Sequence, residues 1–315
     1  MHPHRRRLAL IDMGTNTFHL LIVELPDTGD AKPRTLLSTK VAVKLGEGGI
    51  TKGELTEVAM MRALHTLAGF KEEIELHEAT EVRATATSAV RVARNGRAFT
   101  EQIFEQTGIK VEVIPGDREA ELITKGVRQA VPLGQQPHLL MDIGGGSVEF
   151  IIADEQTIFW KRSFEIGAQR LLDRFYHHDP LLPADVQAEQ DYLATVLEPL
   201  GEAVQHYPPV GLVGASGTFD TLGDLQAARA GTPRTGPTPP ETELPVASFY
   251  ESYHQLLTLD HAGRLALPGM TPLRADMIVV ACVLLDFVLK TYGLTTIRAS
   301  AYALKEGLLA EILGD

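Results

Sequence analysis

The sequence predicts an α/β protein built from two copies of one unit, and two observations carry that prediction. First, short apolar segments typical of strands alternate with longer segments typical of helices, as in mixed sheets flanked by helices. Second, the order strand, Asp-Gly loop, strand, strand occurs near the N-terminus and again 130 residues later, which indicates an internal duplication. At 315 residues the chain is long enough for two domains.

The first copy begins with a predicted three-stranded meander over residues 8–11, 18–25 and 34–43. Its first glycine loop joins two strands, unlike a Walker-type loop, which a helix must follow. Ser88 is expected to cap a short helix. The other predicted elements are a helix near 56–76, a strand over 79–86, a helix over 97–107, a strand over 111–114 and a helix starting near 117.

The second copy repeats the meander with predicted strands over 139–142, 147–153 and 157–163. A helical region over 167–207 and a third glycine turn at 211–218 follow. Residues 229–245 are rich in Pro, Thr and Gly and predict an exposed loop. The remaining predictions are helices near 248–258 and 274–292, a strand over 296–299 and a helix over 304–313.

Composition excludes several classes of protein. A net charge of −12, with 29 basic against 41 acidic residues, argues against a broad nucleic-acid surface. The single cysteine, Cys282, excludes an intramolecular disulfide and is expected to be a buried apolar residue. The longest apolar run, 277–285, ends at Asp286, and the apolar segment after the basic N-terminus is too short for a signal peptide. We therefore expect a cytoplasmic protein with no membrane or nucleic-acid partner.

Two glycine-rich loops, each opened by an aspartate after an apolar strand, predict phosphate binding. Glycines let the backbone turn its N–H groups towards an anion, and hydroxyl groups add donors. The preceding Asp12 and Asp142 could each hold a divalent cation. Together the loops indicate a duplicated fold that holds a polyphosphate between its halves. The predicted phosphate-binding residues are Gly14, Thr15, Asn16, Thr17, Gly144, Gly145, Gly146 and Ser147.

A carboxylate near the start of the helix after residue 116 is a candidate general base. Glu119 and Glu121 point about 200° apart on that helix. Glu121 has Lys125 four residues on, which predicts a solvated ion-pair face. Glu119 shares its face with residues that should pack inward, namely Leu122, Ile123 and Gly126. Spacing alone leaves two roles open for Glu119: a structural cap or ion pair, and a base that activates water.

Taken in order, the motifs resemble the exopolyphosphatase / guanosine pentaphosphate phosphohydrolase family, within the actin-like and sugar-kinase-like ATPase superfamily. The matching set is ordered and covers nearly the whole chain, which makes it specific. The matching stretches are residues 11–18, 44–48, 86–91, 116–120, 142–149, 214–218, 268–270, 274–276 and 303–307.

The resemblance implies a fold and a domain division. It implies two ribonuclease-H-like domains, each with a mixed sheet flanked by helices, and a cleft between them. Domain I would comprise residues 1–126 plus 300–315, and domain II residues 127–299. The resemblance does not include the C-terminal helical domains that help longer members to hold long polymer, so it does not imply processivity on long polymers. Lys305 stands where the family usually has arginine, which keeps the charge but loses the bidentate fork.

The resemblance also implies the site residues. Glu119 falls on the family's catalytic glutamate and Arg91 on its phosphate-contacting arginine. Asp142 falls on its magnesium-associated aspartate, with Glu149 and Asp12 as supports. The implied cofactor is therefore Mg²⁺.

The expected function is Mg²⁺-dependent release of terminal orthophosphate from inorganic polyphosphate by water attack. Three alternatives stand beside it: a guanosine pentaphosphate 5′-phosphohydrolase, an ATP-dependent kinase of the same superfamily, and a non-catalytic sensor of polyphosphate or guanosine tetraphosphate. Glu119 in its hydrolase-type stretch argues against the kinase and the sensor. A homodimer is expected from the general frequency of symmetric oligomers.

Overall fold

The computed structural model describes residues 6–26 and 33–314, and the basic segment 1–5 lies outside them. The chain forms two compact units, the first ending at Gly116 and the second beginning at Asp117. Each unit is built on one mixed β-sheet with helices packed against it. The C-terminal helix belongs to the second of these units, and the predicted division into 1–126 plus 300–315 and 127–299 stays a prediction.

Among its described residues, the first unit holds a five-stranded sheet, three α-helices and a short 3-10 helix over Ile50–Lys52. The two N-terminal hairpins are antiparallel, and the later strands run parallel to the first one. The spatial order is third, second, first, fourth, fifth strand. Its elements are β1 (Arg7–Met13), β2 (Thr17–Glu24), β3 (Arg34–Ala42), α1 (Glu57–Leu76), β4 (Glu81–Ala86), α2 (Ser88–Val92), α3 (Gly96–Thr107) and β5 (Val111–Val113).

The second unit repeats that order and extends it. Its elements are α4 (Gly116–Ala130), β6 (His138–Ile143), β7 (Val148–Ala153), β8 (Ile158–Phe164), α5 (Ala168–Phe175), α6 (Pro183–Val196), α7 (Glu198–His206), β9 (Leu212–Ala215), α8 (Gly217–Arg229), β10 (Glu241–Glu243), α9 (Val246–Thr258), α10 (His261–Leu265), α11 (Met277–Tyr292), β11 (Ile297–Ser300) and α12 (Leu304–Leu313). The six-stranded sheet has the order β10-β11-β9-β6-β7-β8, in which β6, β7 and β8 form the antiparallel meander.

The duplication is visible in the strand register. Asp12 of β1 pairs with His19 of β2, and 130 residues later Asp142 of β6 pairs with Glu149 of β7. In both units a parallel strand lies on the other side of the aspartate strand. The predicted α/β class with two ribonuclease-H-like mixed sheets is confirmed, and the cleft between the domains stays a prediction.

Three local predictions were wrong. Ser88 is the first residue of α2 and not its cap; Thr87 occupies the cap position without a side-chain hydrogen bond. The turn predicted at 211–218 contains β9, a buried central strand, followed at once by α8. The loop predicted over 229–245 contains the short edge strand β10. The two missed strands are only three and four residues long, too short to show a period of two.

Apolar side chains fill a core on one face of each sheet. In the first unit the core contains alternate residues of β1, and α1 and α3 pack against the same cluster. In the second unit α11 lies at the centre, and Cys282 is buried within it, as predicted. No helix within residues 6–26 and 33–314 is long and apolar enough to cross a membrane.

Glu189 of α6 is a buried acid inside the second core. Its side chain is fully buried, and neither carboxyl oxygen has a hydrogen-bond partner among the described residues. Burial raises the pKa of this carboxyl well above its usual value. The folded chain therefore holds a proton that the unfolded chain releases above its ordinary pKa, and stability falls as the pH rises from there.

Replacing Glu189 by glutamine is therefore expected to stabilise the protein at pH 8. The gain arises because glutamine, unlike the buried carboxyl, takes up no proton on folding. It should vanish near pH 4, where the carboxyl is protonated in both states. Urea denaturation at the two pH values checks this, with exposed Glu202→Gln on α7 as control. Equal stability of wild type and variant at pH 8 would contradict the assignment.

Candidate active site

The second glycine loop is held from one side by the start of α5. Three consecutive loop carbonyls accept backbone N–H groups at 2.9–3.1 Å: Gly144 from Ala168, Gly145 from Gln169, and Gly146 from Gly167. In a planar trans peptide, C=O and N–H point in opposite directions. The N–H groups of residues 145, 146 and 147 therefore point away from α5. Successive N–H groups aimed in this way bind anions such as phosphate.

Glycine is required at three positions in and around these loops. A Cβ on Gly144 would lie 2.9 Å from the carbonyl oxygen of Ser147, and a Cβ on Gly14 would lie 2.9 Å from that of Thr17. The two loops thus share this close approach between the first glycine and the carbonyl group three residues later. A Cβ on Gly167 would lie 2.4–2.5 Å from the backbone of residues 145 and 146, so α5 approaches the loop only because this residue is glycine.

The first glycine loop is held in the same manner by the turn that follows β3. Thr15 O accepts from Gly46 N at 3.0 Å, and Asn16 O accepts from Val43 N and Lys44 N at 2.9 and 2.8 Å. The N–H groups that share peptides with these carbonyls, those of residues 16 and 17, point away from the turn. The turn at 44–49 therefore supports the first loop.

Arg91 lies at the same sheet edge as the first loop. The loop follows β1, and Arg91 lies in α2, which follows β4; Met13 and Ala86, near the ends of these parallel strands, are register partners. Arg91 Nη1 donates to Ile114 O at 3.2 Å, and the side chain is half-buried. The structure brings Arg91 close to the predicted loop, and its contact with phosphate stays a prediction.

Asp142 and Glu149 face each other across β6 and β7. They are register partners, so their side chains project from the same face of the sheet. Both are buried, at 5% and 1% exposure. Ser163 Oγ on β8 donates to Glu149 Oε1 at 2.6 Å. The sheet therefore presents two buried carboxylates beside the second loop, whereas the corresponding pair in the first unit is Asp12 and His19.

The surroundings of Asp142 raise the pKa of its carboxyl towards neutral pH. Burial raises the pKa of its carboxyl to about 6. A hydrogen bond with Ser216 and the charge of Arg274 oppose the rise, while the charge of Asp220 adds to it. This carboxyl therefore changes charge close to physiological pH.

The junction between β9 and α8 adds site residues to which no role was assigned from the sequence. Ser216 adopts φ 70° and ψ −178°, a conformation that costs a non-glycine residue of the order of 1–3 kcal/mol and persists mainly at functional sites. The guanidinium of Arg274 covers Gly217, where a Cβ would lie 1.8 Å from Nη2. Burial lowers the pKa of Arg274, and the carboxylates of Asp220 and Asp142 oppose that shift. Only the resemblance motifs at 214–218 and 274–276 signalled this group.

Glu119 lies in the first turn of α4, which is in the same unit as Asp142 and Glu149. Its side chain is 7% exposed, and the helix buries Leu122, Ile123 and Gly126, as predicted. An acid in a first helical turn is stabilised by the helix dipole in its charged form. The burial fits both roles considered for Glu119, and the catalytic one stays a prediction.

Glu121 makes different ion pairs from those predicted. Its carboxylate contacts Lys161 Nζ at 2.6 Å and Arg118 Nη1 at 3.2 Å. Lys125, its predicted partner, contacts Glu311 of α12 at 2.8 Å. The helix α4 is thus connected by ion pairs to β8 and to α12.

Two glycines allow α4 and α12 to pack closely. A Cβ on Gly307 would lie 1.7 Å from Leu122 O, and a Cβ on Gly126 would lie 2.0 Å from Ala303 O. Both obstacles are backbone atoms, which move only with the helices themselves.

Gly307→Ala is therefore expected to destabilise the protein by about 1–3 kcal/mol through overpacking. The matched control is Gly69→Ala in α1, where nothing lies within 4 Å of the added Cβ. That change should stabilise by about 0.5–1 kcal/mol, since alanine favours helices. Chemical denaturation compares the variants, and a Gly307→Ala protein as stable as wild type would exclude the close helix contact.

The donor set fits a hard cation that keeps part of its water shell. Within residues 6–26 and 33–314, no three His, Cys, Asp or Glu side chains converge as a complete metal site. Asp142 and Glu149 offer two facing carboxylates next to a loop suited to phosphate. Mg²⁺ is commonly held by one or two carboxylates together with water and substrate phosphates, so these two residues fit it.

Comparison with known proteins extends the likeness along the whole chain. A guanosine-5′-triphosphate,3′-diphosphate pyrophosphatase of Photobacterium profundum is 29% identical over 97% of this chain, which spans only 59% of that protein. Exopolyphosphatase 2 of Mycobacterium tuberculosis is 29% identical and covers 98% of this chain and 99% of its own. The crystal structure of an exopolyphosphatase from Cytophaga hutchinsonii superposes with a TM-score of 0.94 at 46% identity, covering 98% of both chains.

A model of one protein family also matches the part of the chain that carries most of the candidate site residues. It covers residues 23–315, a range that includes Glu119, both carboxylates of the acid pair and the second loop. The matched range therefore contains the whole of the second unit. With its duplicated loops and buried acids, this chain belongs to the Ppx/GppA phosphatase family.

Proposed function

We propose that this chain is a phosphoanhydride hydrolase that releases terminal orthophosphate from inorganic polyphosphate. The main support is the pair of corresponding glycine loops, one of which adjoins two buried, facing carboxylates. Outward backbone N–H groups suit phosphate oxygens, and a carboxylate pair suits the cation that accompanies them. The 46% identity with the Cytophaga hutchinsonii exopolyphosphatase favours polyphosphate as substrate.

The residues take separate roles in this reaction. The N–H groups of the two loops and the guanidinium of Arg91 hold phosphate oxygens. Glu119 orients a water molecule and accepts its proton as the water oxygen attacks the terminal phosphorus. The bond from that phosphorus to the bridging oxygen breaks, which leaves orthophosphate and a polymer shorter by one unit.

Asp142 and Glu149 would hold Mg²⁺, and the supporting role of Asp12 stays a prediction. The bound ion supplies positive charge that offsets the negative charge of the phosphates. Ser216 keeps the Asp142 carboxyl in place through its hydrogen bond, and the nearby Arg274 limits the build-up of negative charge with Asp220.

Guanosine pentaphosphate is the second candidate substrate, since the Photobacterium profundum relative is named for hydrolysing it. The same residues would remove its 5′-terminal phosphate. A non-catalytic sensor of polyphosphate or guanosine tetraphosphate would use the loops without Glu119. Homodimerisation and a cytoplasmic location remain predictions from the sequence.

The test is release of orthophosphate from long polyphosphate, guanosine pentaphosphate and ATP, each with Mg²⁺ and with a chelator. Metal-dependent release from polyphosphate is expected. Release from guanosine pentaphosphate alone would make that nucleotide the substrate and leave the proposed mechanism unchanged. No release from any of the three, with measurable binding of polyphosphate, would favour the sensor.

A further inference from the structure

Arg264 of α10 is the largest fully buried side chain among the described residues, and the proposed chemistry does not use it. Its guanidinium donates to five acceptors drawn from three chain segments. They are Ala275 O at 2.6 Å, Leu259 O at 2.6 Å, Asp179 Oδ1 at 3.0 Å, Asp276 Oδ1 at 3.4 Å and the Tyr176 hydroxyl.

Stability alone does not explain an arginine at this position. Replacing a buried ion-pair cluster by apolar residues is often neutral or stabilising, because burial removes the charges from water. An arginine can instead hold several acceptors in a fixed geometry, because its planar fork carries five donors. The contacts of Arg264 use this property, since carbonyl, hydroxyl and carboxylate groups surround it.

The segment that Arg264 holds carries Arg274. Ala275, which directly follows Arg274, is fully buried, and its carbonyl oxygen accepts a hydrogen bond from Arg264 Nε. Asp276 is fixed further by His261, whose Nδ1 lies 2.5 Å from Asp276 Oδ1. From this backbone, the Arg274 side chain reaches Gly217 at the start of α8, beside the Asp142 carboxyl.

We propose that Arg264 is a positioning residue that fixes the backbone at Ala275 and Asp276, and thereby places the Arg274 guanidinium against Gly217 in the candidate site. Its effect on turnover rests on the proposed function. Its effect on the position of Arg274 does not, and this difference allows the two to be tested separately.

The experiment compares Arg264→Lys with wild type by three measurements. The first is the NMR resonance of the Arg274 Nε–H group without substrate, assigned by its absence in Arg274→Lys. The second is thermal unfolding, and the third is kcat and KM for polyphosphate. We expect the resonance to shift or broaden and kcat/KM to fall by up to about 100-fold, the loss typical of a misplaced group. Combined with Arg274→Gln, Arg264→Lys should cause little further loss.

The matched control is Arg229→Lys on α8, whose guanidinium contacts Glu251 and two serines. It should leave the Arg274 resonance and kcat/KM unchanged. If Arg264→Lys does not fold, Tyr176→Phe removes a single acceptor and should shift the same resonance by less. A folded Arg264 or Tyr176 variant with an unmoved resonance would overturn the proposal. The proposal would also be overturned if the separate losses in kcat/KM caused by Arg264→Lys and Arg274→Gln multiplied in the double variant. If the wild type hydrolyses no substrate and the Arg274 resonance still shifts in Arg264→Lys, the hydrolase function is rejected and the positioning role is kept.

Discussion

Glu119→Gln is expected to reduce kcat for phosphate release by about 10²–10⁴-fold, the usual contribution of a general base. Glutamine keeps the size of the side chain and its buried position in the first turn of α4, but it cannot accept the proton of the attacking water. Binding should be preserved, since the predicted phosphate contacts come from the loops and from Arg91. Steady-state kinetics and polyphosphate binding on the same preparations measure both effects.

The control for this change is Glu121→Gln on the same helix. Glu121 is bound by Lys161 and Arg118 at the surface, so its loss should weaken ion pairs and leave kcat nearly unchanged. If Glu119→Gln had the same kcat as wild type, Glu119 would not be the general base of the reaction. Equal losses in both variants would indicate a structural role for this part of α4.

Asp142→Asn is expected to have two opposite effects. Hydrolysis should fall by about 100-fold or more, because a bound cation contributes several kcal/mol of charge stabilisation. Stability at pH 7 should rise by as much as about 3 kcal/mol, because the carboxyl has a pKa of about 6 in the fold and 3.8 outside it. Thermal unfolding and phosphate release at pH 7 measure the two effects, with exposed Asp191→Asn as control.

The same carboxyl predicts how metal binding depends on pH. Burial raises its folded pKa, so as the pH falls through about 6 it becomes protonated and loses its affinity for a cation. At limiting Mg²⁺, activity should therefore fall below about pH 6, and added Mg²⁺ should move this limb to lower pH. A limb that does not respond to Mg²⁺ concentration would assign the titration to another group.

Sequence reasoning succeeded where the signal is local. The two meanders are antiparallel and joined by short loops, so strand, loop and strand appear next to each other in the chain. The buried side of α4 followed from its spacing of apolar residues. The aspartates and glycines of the loops were recognisable because backbone constraints allow few residue types there.

The missed features depend on contacts between distant segments. The strand β9 has four residues, including Gly214, and its burial comes from flanking parallel strands that arrive from elsewhere in the chain. Arg274 and Gly217 are in contact although they lie 57 positions apart in the sequence, and no periodic pattern of residues predicts this contact. The partners of Glu121 were predicted within its own helix, whereas tertiary structure supplied Lys161.

The support of the second loop by α5 has a consequence for how this protein can change over evolution. If peptide groups hold the phosphate, the loop positions other than Gly144 need no particular side chain for phosphate binding, and many exchanges at those positions would be tolerated. Selection would act on Gly144 and also on a residue outside the loop. Gly167 is that residue, because any side chain would push α5 away from residues 145 and 146. In a saturation library selected for turnover, Gly167 should therefore be among the least variable positions, although it donates no side chain to the reaction.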